Sequence, residues 1–286
     1  MCGSSARKLK KTHANMLGGR AWRYELHPLT YNELGSSFDL LKALNRGLIP
    51  THYLEENFQR ELRAYVQDYL REEVQMEGLT RNLPAFAKFL DSVSFSLGEL
   101  VNYANVARDC GVDAKTVAEY YQILQDTLLG SMLMPFRKER NRQIITKTPK
   151  FYLFDVGVAN YLSRRVISIN KGDEFGRAFE HFIFMELGAY RSYYEKEDPL
   201  YYWRTKNNQE VDFILETQKG LIAIEVKGAS RIDRHDLVGL NAFIEEHHPY
   251  KALVVCQEAK RRKLEGDIEV VPWREFLKEL WDNAIF

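Results

Sequence analysis

Residues 210–229 read EVDFILETQKGLIAIEVKGA. Two runs rich in Val, Ile, Leu and Phe flank the polar stretch Thr217-Gln218-Lys219-Gly220, the pattern of two strands joined by a tight turn. Inside these runs stand Glu210, Asp212, Glu225 and Lys227, spaced two apart within each strand. Side chains alternate across a strand, so Glu210 and Asp212 share a face, and Glu225 and Lys227 share a face. Val211, Phe213, Ile224 and Val226 are expected on the opposite, apolar face. A loop with an even number of residues sets Asp212 across from Glu225 and Glu210 across from Lys227. A three-residue loop would send the two pairs to opposite faces, and the even loop is the expectation here. Cross-strand neighbours have Cβ atoms about 5 Å apart, so two carboxylates would face one another. Opposed anions cost stability unless a cation sits between them, and a hard divalent ion, Mg²⁺ or Mn²⁺, is the natural one.

Glu180, within GRAFEHF, lies on the preceding helical stretch and adds a third carboxylate. The reading is a phosphodiesterase centre. Glu180, Asp212 and Glu225 would be the metal ligands, and Lys227 would orient water or stabilise transition-state charge. The competing reading is that the charges coat the wet face of a hairpin and Glu180 is an ordinary helix-surface residue.

Working outward, Phe175, Phe179, Phe182, Ile183, Leu187 and Tyr190 mark a helix over 173–192. Strands are expected at 200–204, 209–216 and 221–227, then a helix at 233–247, strands at 251–256 and 268–271, and a closing helix from Trp273. Interleaved strands and helices predict an α/β fold around a mixed sheet. Residues 84–162 read as a winged-helix unit: a helix from Pro84, another over 97–108 ended by Cys110-Gly111, and a third over 114–128 capped by Asp113. Lys115, Thr116, Glu119 and Gln122 are expected on the outer face of that third helix. MLMPF and FYLF read as strands flanking a basic connection with Arg137, Lys138, Arg140, Arg142, Lys147 and Lys150. Lys115, Thr116, Arg137, Lys138, Arg140 and Arg142 are the candidate nucleic-acid contacts. The alternative is a winged helix used only for protein contacts. A packing helix is expected over 53–76. The resulting division is 1–80, 81–165 and 166–286.

The 286 residues carry 40 basic and 40 acidic side chains, so net charge draws the chain toward neither nucleic acid nor membrane, and any basic surface must come from local clustering. Three scattered cysteines, no long apolar run and no signal-peptide core predict a cytoplasmic protein without a membrane partner. His181 reads as a core or surface histidine rather than a metal ligand, and the tyrosines at 193, 194, 201 and 202 read as packing residues. His247 and His248 read as capping terminal helix carbonyls.

GDEFGRAFE, YYWRTKNNQEVDFIL and IAIEVKGA together resemble the PD-(D/E)XK nuclease-like fold, with Glu180, Asp212, Glu225 and Lys227 at its helix-Glu, Asp and ExK positions. Glu210-Val211 replaces the first half of the namesake motif. Over the whole chain, GSSARKL, LHPLTYNEL, LNRGLIP, YLREEV, LGELVNYANVARDCGVDAKTVAEYYQIL and PKFYLFDVGVANYL resemble a bacterial and archaeal family. That family joins an AAA-type ATPase module to a C-terminal domain of unknown function with a nuclease-like end. The resemblance implies that residues 1–80 hold an ATPase remnant, with Ser4, Ser5 and Arg7 as a nucleotide-sensing turn. No GxxxxGK[ST] stretch occurs in these residues, so ATP hydrolysis by this chain is not expected. A partner ATPase half, or a second copy of the chain, would be a natural associate.

Three functions follow as expectations. The first is metal-dependent phosphodiester hydrolysis on DNA. The second is a non-catalytic DNA-binding module regulating an ATPase, and the third is a protein-interaction module.

Overall fold

The computed structural model describes residues 24–69, 82–137 and 148–285. Ser4, Ser5, Arg7, Lys138, Arg140, Arg142 and Lys147 lie outside the described residues. The chain is α/β, built on one eight-stranded mixed sheet.

The N-terminal helices are short, and each is defined by its caps. The helix α1 (Tyr31–Leu34) starts at a Thr30–Glu33 capping box, and α2 (Leu40–Arg46) is capped by Asp39. Then follow α3 (Pro50–Leu54), with proline in its first turn, and α4 (Phe58–Ala64). The single helix expected from residue 53 is therefore broken between Leu54 and Phe58. Three more helices follow: α5 (Leu83–Phe95), α6 (Tyr103–Cys110) and α7 (Ala114–Asp126). The helix expected over 97–108 begins only at Tyr103, because Leu100 bridges to Lys150 and Asn102 supplies the cap. Gly111 ends α6 in the left-handed conformation (φ 69°), and Asp113 accepts from the Thr116 amide to start α7.

Strands β1 (Gly130–Pro135) and β2 (Lys150–Leu153) pair antiparallel, followed by α8 (Val156–Leu162), capped by Asp155. The long helix α9 (Asp173–Tyr193) then leads into a meander of β3 (Leu200–Arg204), β4 (Glu210–Thr217) and β5 (Gly220–Val226). After α10 (Val238–His247), β6 (Lys251–Cys256) pairs parallel with β5. A short β7 (Arg262–Lys263), β8 (Ile268–Pro272) and α11 (Trp273–Trp281) close the fold. The strand order is β2-β1-β3-β4-β5-β6-β8-β7. β1 runs parallel to β3 through Met134↔Tyr201 and Pro135↔Tyr202, so the strands of the middle segment extend the C-terminal sheet.

One sheet face packs on α9, α2 and α11 through Phe179, Phe182, Phe213, Ile224 and Leu280. The other packs on α10 through Trp203, Val211, Ala223, Leu240 and Phe243. A separate core joins α4–α8 through Phe86, Phe89, Tyr121 and Leu162. Each large side chain removed from water contributes roughly 2 kcal/mol, which ties the elements of each layer together. Among the described residues, no helix is long and apolar enough to cross a membrane.

Candidate functional site

The turn between β4 and β5 is even. Thr217 pairs with Gly220, leaving two residues between them, and the ladder runs to Phe213↔Ile224. Extended by one residue, that register sets Asp212 across from Glu225. On its other side β4 is irregular. Tyr201 pairs with Ile214 and Trp203 with Val211, so Asp212 and Phe213 both oppose Tyr202. A bulge of this kind inserts one residue and breaks the two-residue alternation. Val211 accordingly joins the core beneath α10, while Phe213, Ile224 and Val226 join the core beneath α9. The expectation that Val211 shares the face of Phe213 is corrected, and the bulge is the reason.

Past the last β4–β5 ladder pair, Asp212 takes up a β5 amide. Its Oδ2 accepts from the Val226 N–H at 2.8 Å, and its Oδ1 lies 3.9 Å from Lys150 Nζ. Lys227 Nζ holds Glu225 Oε1 at 2.6 Å. From α9, Glu180 Oε1 accepts from Tyr152 Oη at 2.5 Å and lies 3.3 Å from Lys150 Nζ. Glu210 is not the partner of Lys227. It binds Lys150 at 2.5 Å and Arg204 at 2.8 Å, because Arg204 stands directly across from it on β3. Glu180, Asp212, Glu225 and Lys227 are thus gathered at one end of the sheet. Asp212, Glu180 and Lys227 line a cleft of 640 Å³ that also carries Arg177 and Arg231.

Burial raises both opposed carboxylates. Asp212 is pushed well above the usual carboxylate range by burial, then by Glu225 and Glu180, against the pull of Lys150 and Lys227. Glu225 is pushed up to about 7 by burial, with Lys227 opposing. Lys227 bonds Glu225 directly, whereas Lys150 stands 3.9 Å from Asp212. Lys227 and Lys150 are both raised, since the surrounding carboxylates outweigh the burial that lowers them.

Among the described residues, four carboxylates (Glu180, Glu210, Asp212, Glu225) lie within ion-pair distance of three cations (Lys150, Arg204, Lys227). Glu225 Oε2 is buried with no hydrogen-bond partner. An orphaned buried oxygen suits an added cation. Among the described residues, however, no three His, Cys, Asp or Glu side chains surround one point as a closed metal cage. The fit is therefore to an ion held by Asp212 and Glu225, with Glu180 occupied by Tyr152 and Lys150.

Lys150 is a correction. Read as part of a basic connection, it is instead the buried hub of the site, with a side chain 2% exposed. Its place at the start of the apolar run FYLF carried the same signal as the hairpin charges, a charge leading a buried strand. Tyr152 and Arg204 also join the site. Of the expected nucleic-acid contacts, Lys115 and Arg137 are exposed and Thr116 is half-buried at the start of α7. His181 is buried against the Leu153 carbonyl at 2.7 Å. His247 packs among Phe136, Trp203 and Phe243 rather than capping carbonyls.

Residues 37–168 match the domain of unknown function DUF8612, and residues 175–276 match the domain of unknown function DUF4143. The two matches meet between α8 and α9, and the second contains Glu180, Asp212, Glu225 and Lys227. Uncharacterized proteins of Mycobacterium bovis and Mycobacterium tuberculosis are each 26% identical over 233 residues, covering 80% of this chain. The chain spans about half the length of these curated relatives, 52%. No solved structure matches significantly.

Proposed function

We propose that the end of the sheet at Asp212 and Glu225 is a metal-dependent phosphodiesterase site of the PD-(D/E)XK kind, acting on DNA. The observation that carries this reading is the buried Asp212–Glu225 pair. Two carboxylates are forced together, one oxygen is left without a partner, and Lys227 Nζ lies 2.6 Å from the pair's glutamate. When bound, a divalent cation supplies Lewis-acid polarisation of a phosphate oxygen and lowers the pKa of a water. Asp212 Oδ1 and Glu225 Oε2 are the oxygens that would hold it. Lys227 keeps its proton, raised by Glu225 and Asp212, and so presents an ammonium to the extra negative charge of a five-coordinate phosphate. Arg231, and Arg177 on release from Glu99 at 2.6 Å, would hold flanking phosphates at the cleft. Association with an ATPase half and a cytoplasmic location belong to the same proposal.

A second reading, a non-catalytic binding module, is favoured by Lys150. Its ammonium already neutralises Glu180 and Glu210 and approaches Asp212, which lets the carboxylates coexist without metal. Calorimetric titration with Mg²⁺ or Mn²⁺ and a plasmid-nicking assay separate the two. The nuclease reading requires both signals, and Asp212→Asn or Lys227→Ala must remove the nicking. Metal binding without nicking supports the binding module, and loss of both signals leaves a protein-interaction role.

A further inference from the structure

A groove of 1040 Å³ lies where α2, α4 and the end of α8 meet, on the layer formed by α4–α8. Among the described residues, Lys42, Arg46, Arg60, Arg63, Arg164 and Arg165 line it, against a single carboxylate, Asp91. In a chain of balanced charge this is a marked segregation. Glu55, Glu56 and Glu61 belong to the same stretch as α4 yet do not line the groove. Among the described residues, none of the six cations is in an ion pair. Arg46 bonds the Glu55 carbonyl, Arg63 bonds Gln67, and Arg165 bonds the Phe95 carbonyl. All three partners are neutral, although Glu174 and Glu99 lie within electrostatic reach of Arg165.

Charge segregation of this size suits a polyanion, and five of the six cations are arginine, the side chain whose fork matches phosphate oxygens. The groove also presents aromatic surface. Phe58 lies under the Arg46 guanidinium, 4.7 Å from centroid to carbon, and Tyr161 is half-buried in the wall. Cations interleaved with rings are the surface that single-stranded nucleic acid uses, its phosphates on the cations and its bases on the rings. Of the apolar lining residues, Leu62 and Leu162 are buried while Val166 is exposed.

The groove is not isolated from the candidate active site. Arg165 lies within electrostatic reach of Arg177, and Arg177 lines the cleft with Glu180 and Asp212. Cations thus continue from α4, past Arg164 and Arg165, to Arg177 at the mouth of that cleft, where Glu99 pairs with Arg177 at 2.6 Å and Glu174 lies near Arg165.

We infer that this groove is a binding track for single-stranded nucleic acid, holding a strand that continues from the Asp212–Glu225 cleft. The continuation rests on the phosphodiesterase reading, whereas the binding itself does not. The test is fluorescence anisotropy of the full chain with a labelled oligothymidylate of about twenty nucleotides, in EDTA and over a salt series. The wild type binds, and Arg60→Glu/Arg63→Glu weakens binding by roughly tenfold or more while lowering the log–log salt slope by about 2. Both side chains are exposed, so the variant keeps its fold, as circular dichroism will verify. Arg60→Lys/Arg63→Lys restores most of the affinity. Unchanged affinity in the Glu variant, or no binding by the wild type, overturns the track. Tighter capture of a polyglutamate peptide than of the oligonucleotide overturns it in favour of an acidic protein partner. Groove-dependent binding without nicking leaves the track standing and removes the nuclease. Nicking with groove-independent binding does the reverse.

Discussion

Lys150 Nζ stands 2.5 Å from Glu210 Oε1, joining the first residue of β2 to the first residue of β4 across the end of the sheet. The same ammonium lies 3.3 Å from Glu180 on α9. One buried lysine thus ties three elements together and stabilises a cluster that would otherwise hold only repelling anions.

Removing that lysine leaves Glu180 and Glu210 without their buried counter-charge. Lys150→Met is expected to cost about 3–5 kcal/mol in urea unfolding without metal, the range for breaking a buried pair from one side. The Lys150→Met/Glu210→Gln double variant should recover part of the loss. A loss below about 1 kcal/mol would mean that the ion pairs are solvated and the hub is not structural.

Asp212→Asn acts in the opposite direction. The amide keeps an oxygen for the Val226 N–H while removing repulsion from Glu225 and Glu180. In EDTA the variant should gain about 1 kcal/mol, raising Tm by roughly 2–4 °C. In Mg²⁺ it should lose the metal-dependent stabilisation expected of the wild type. A melting temperature that falls in EDTA would show that the aspartate does not strain the fold.

Glu186 sets a pH dependence remote from the cleft. It is buried, accepts from the Tyr31 N–H and Trp281 Nε1–H at 2.7 Å each, and is raised to about 7 by burial, with Glu33 adding to the shift. Its folded pKa exceeds the ordinary 4.5, so its contribution is full below pH 4.5, falls as pH rises toward 7, and is flat above. The stability difference between wild type and Glu186→Gln should therefore shift by about 3 kcal/mol against the wild type between those limits. Denaturant melts at pH 4.5, 5.5, 6.5 and 7.5 measure it, and parallel curves for the two proteins would refute it.

Gly239 in α10 supports the site from behind. A Cβ there would overlap the Glu210 carbonyl, and backbone on both sides cannot yield cheaply. Gly239→Ala should cost about 1–3 kcal/mol and weaken metal binding by displacing the start of β4. Calorimetry on the folded variant checks the second effect. Unaltered Mg²⁺ binding would show that Glu210 is not tied to the ion site.

Much of the C-terminal half was legible because its signals are local. The stripe from Phe175 to Tyr190 marks α9, and the two-residue turn sets the Phe213↔Ile224 register from the spacing of Asp212 and Glu225 alone. Gly111 and Asp113 announce the α6–α7 turn through conformational freedom and a side-chain acceptor. What escaped was non-local. The break between Leu54 and Phe58 reflects packing of α3 and α4 into different clusters, which a continuous apolar spacing conceals. The bulge at Asp212–Phe213 arises from how β3 lies beside β4, and nothing in EVDFIL declares an extra residue.

The sequence by itself determined the α/β order, the paired carboxylates and the lysine two residues beyond Glu225, because period-two and period-3.6 patterns are written into the chain. Only the tertiary structure decided which charges neutralise which. Lys150 reaches Glu180 and Glu210 from 30 and 60 positions away, and Arg204 rather than Lys227 takes Glu210. Electrostatic partnership depends on distance and burial in space, and separation along the chain carries neither.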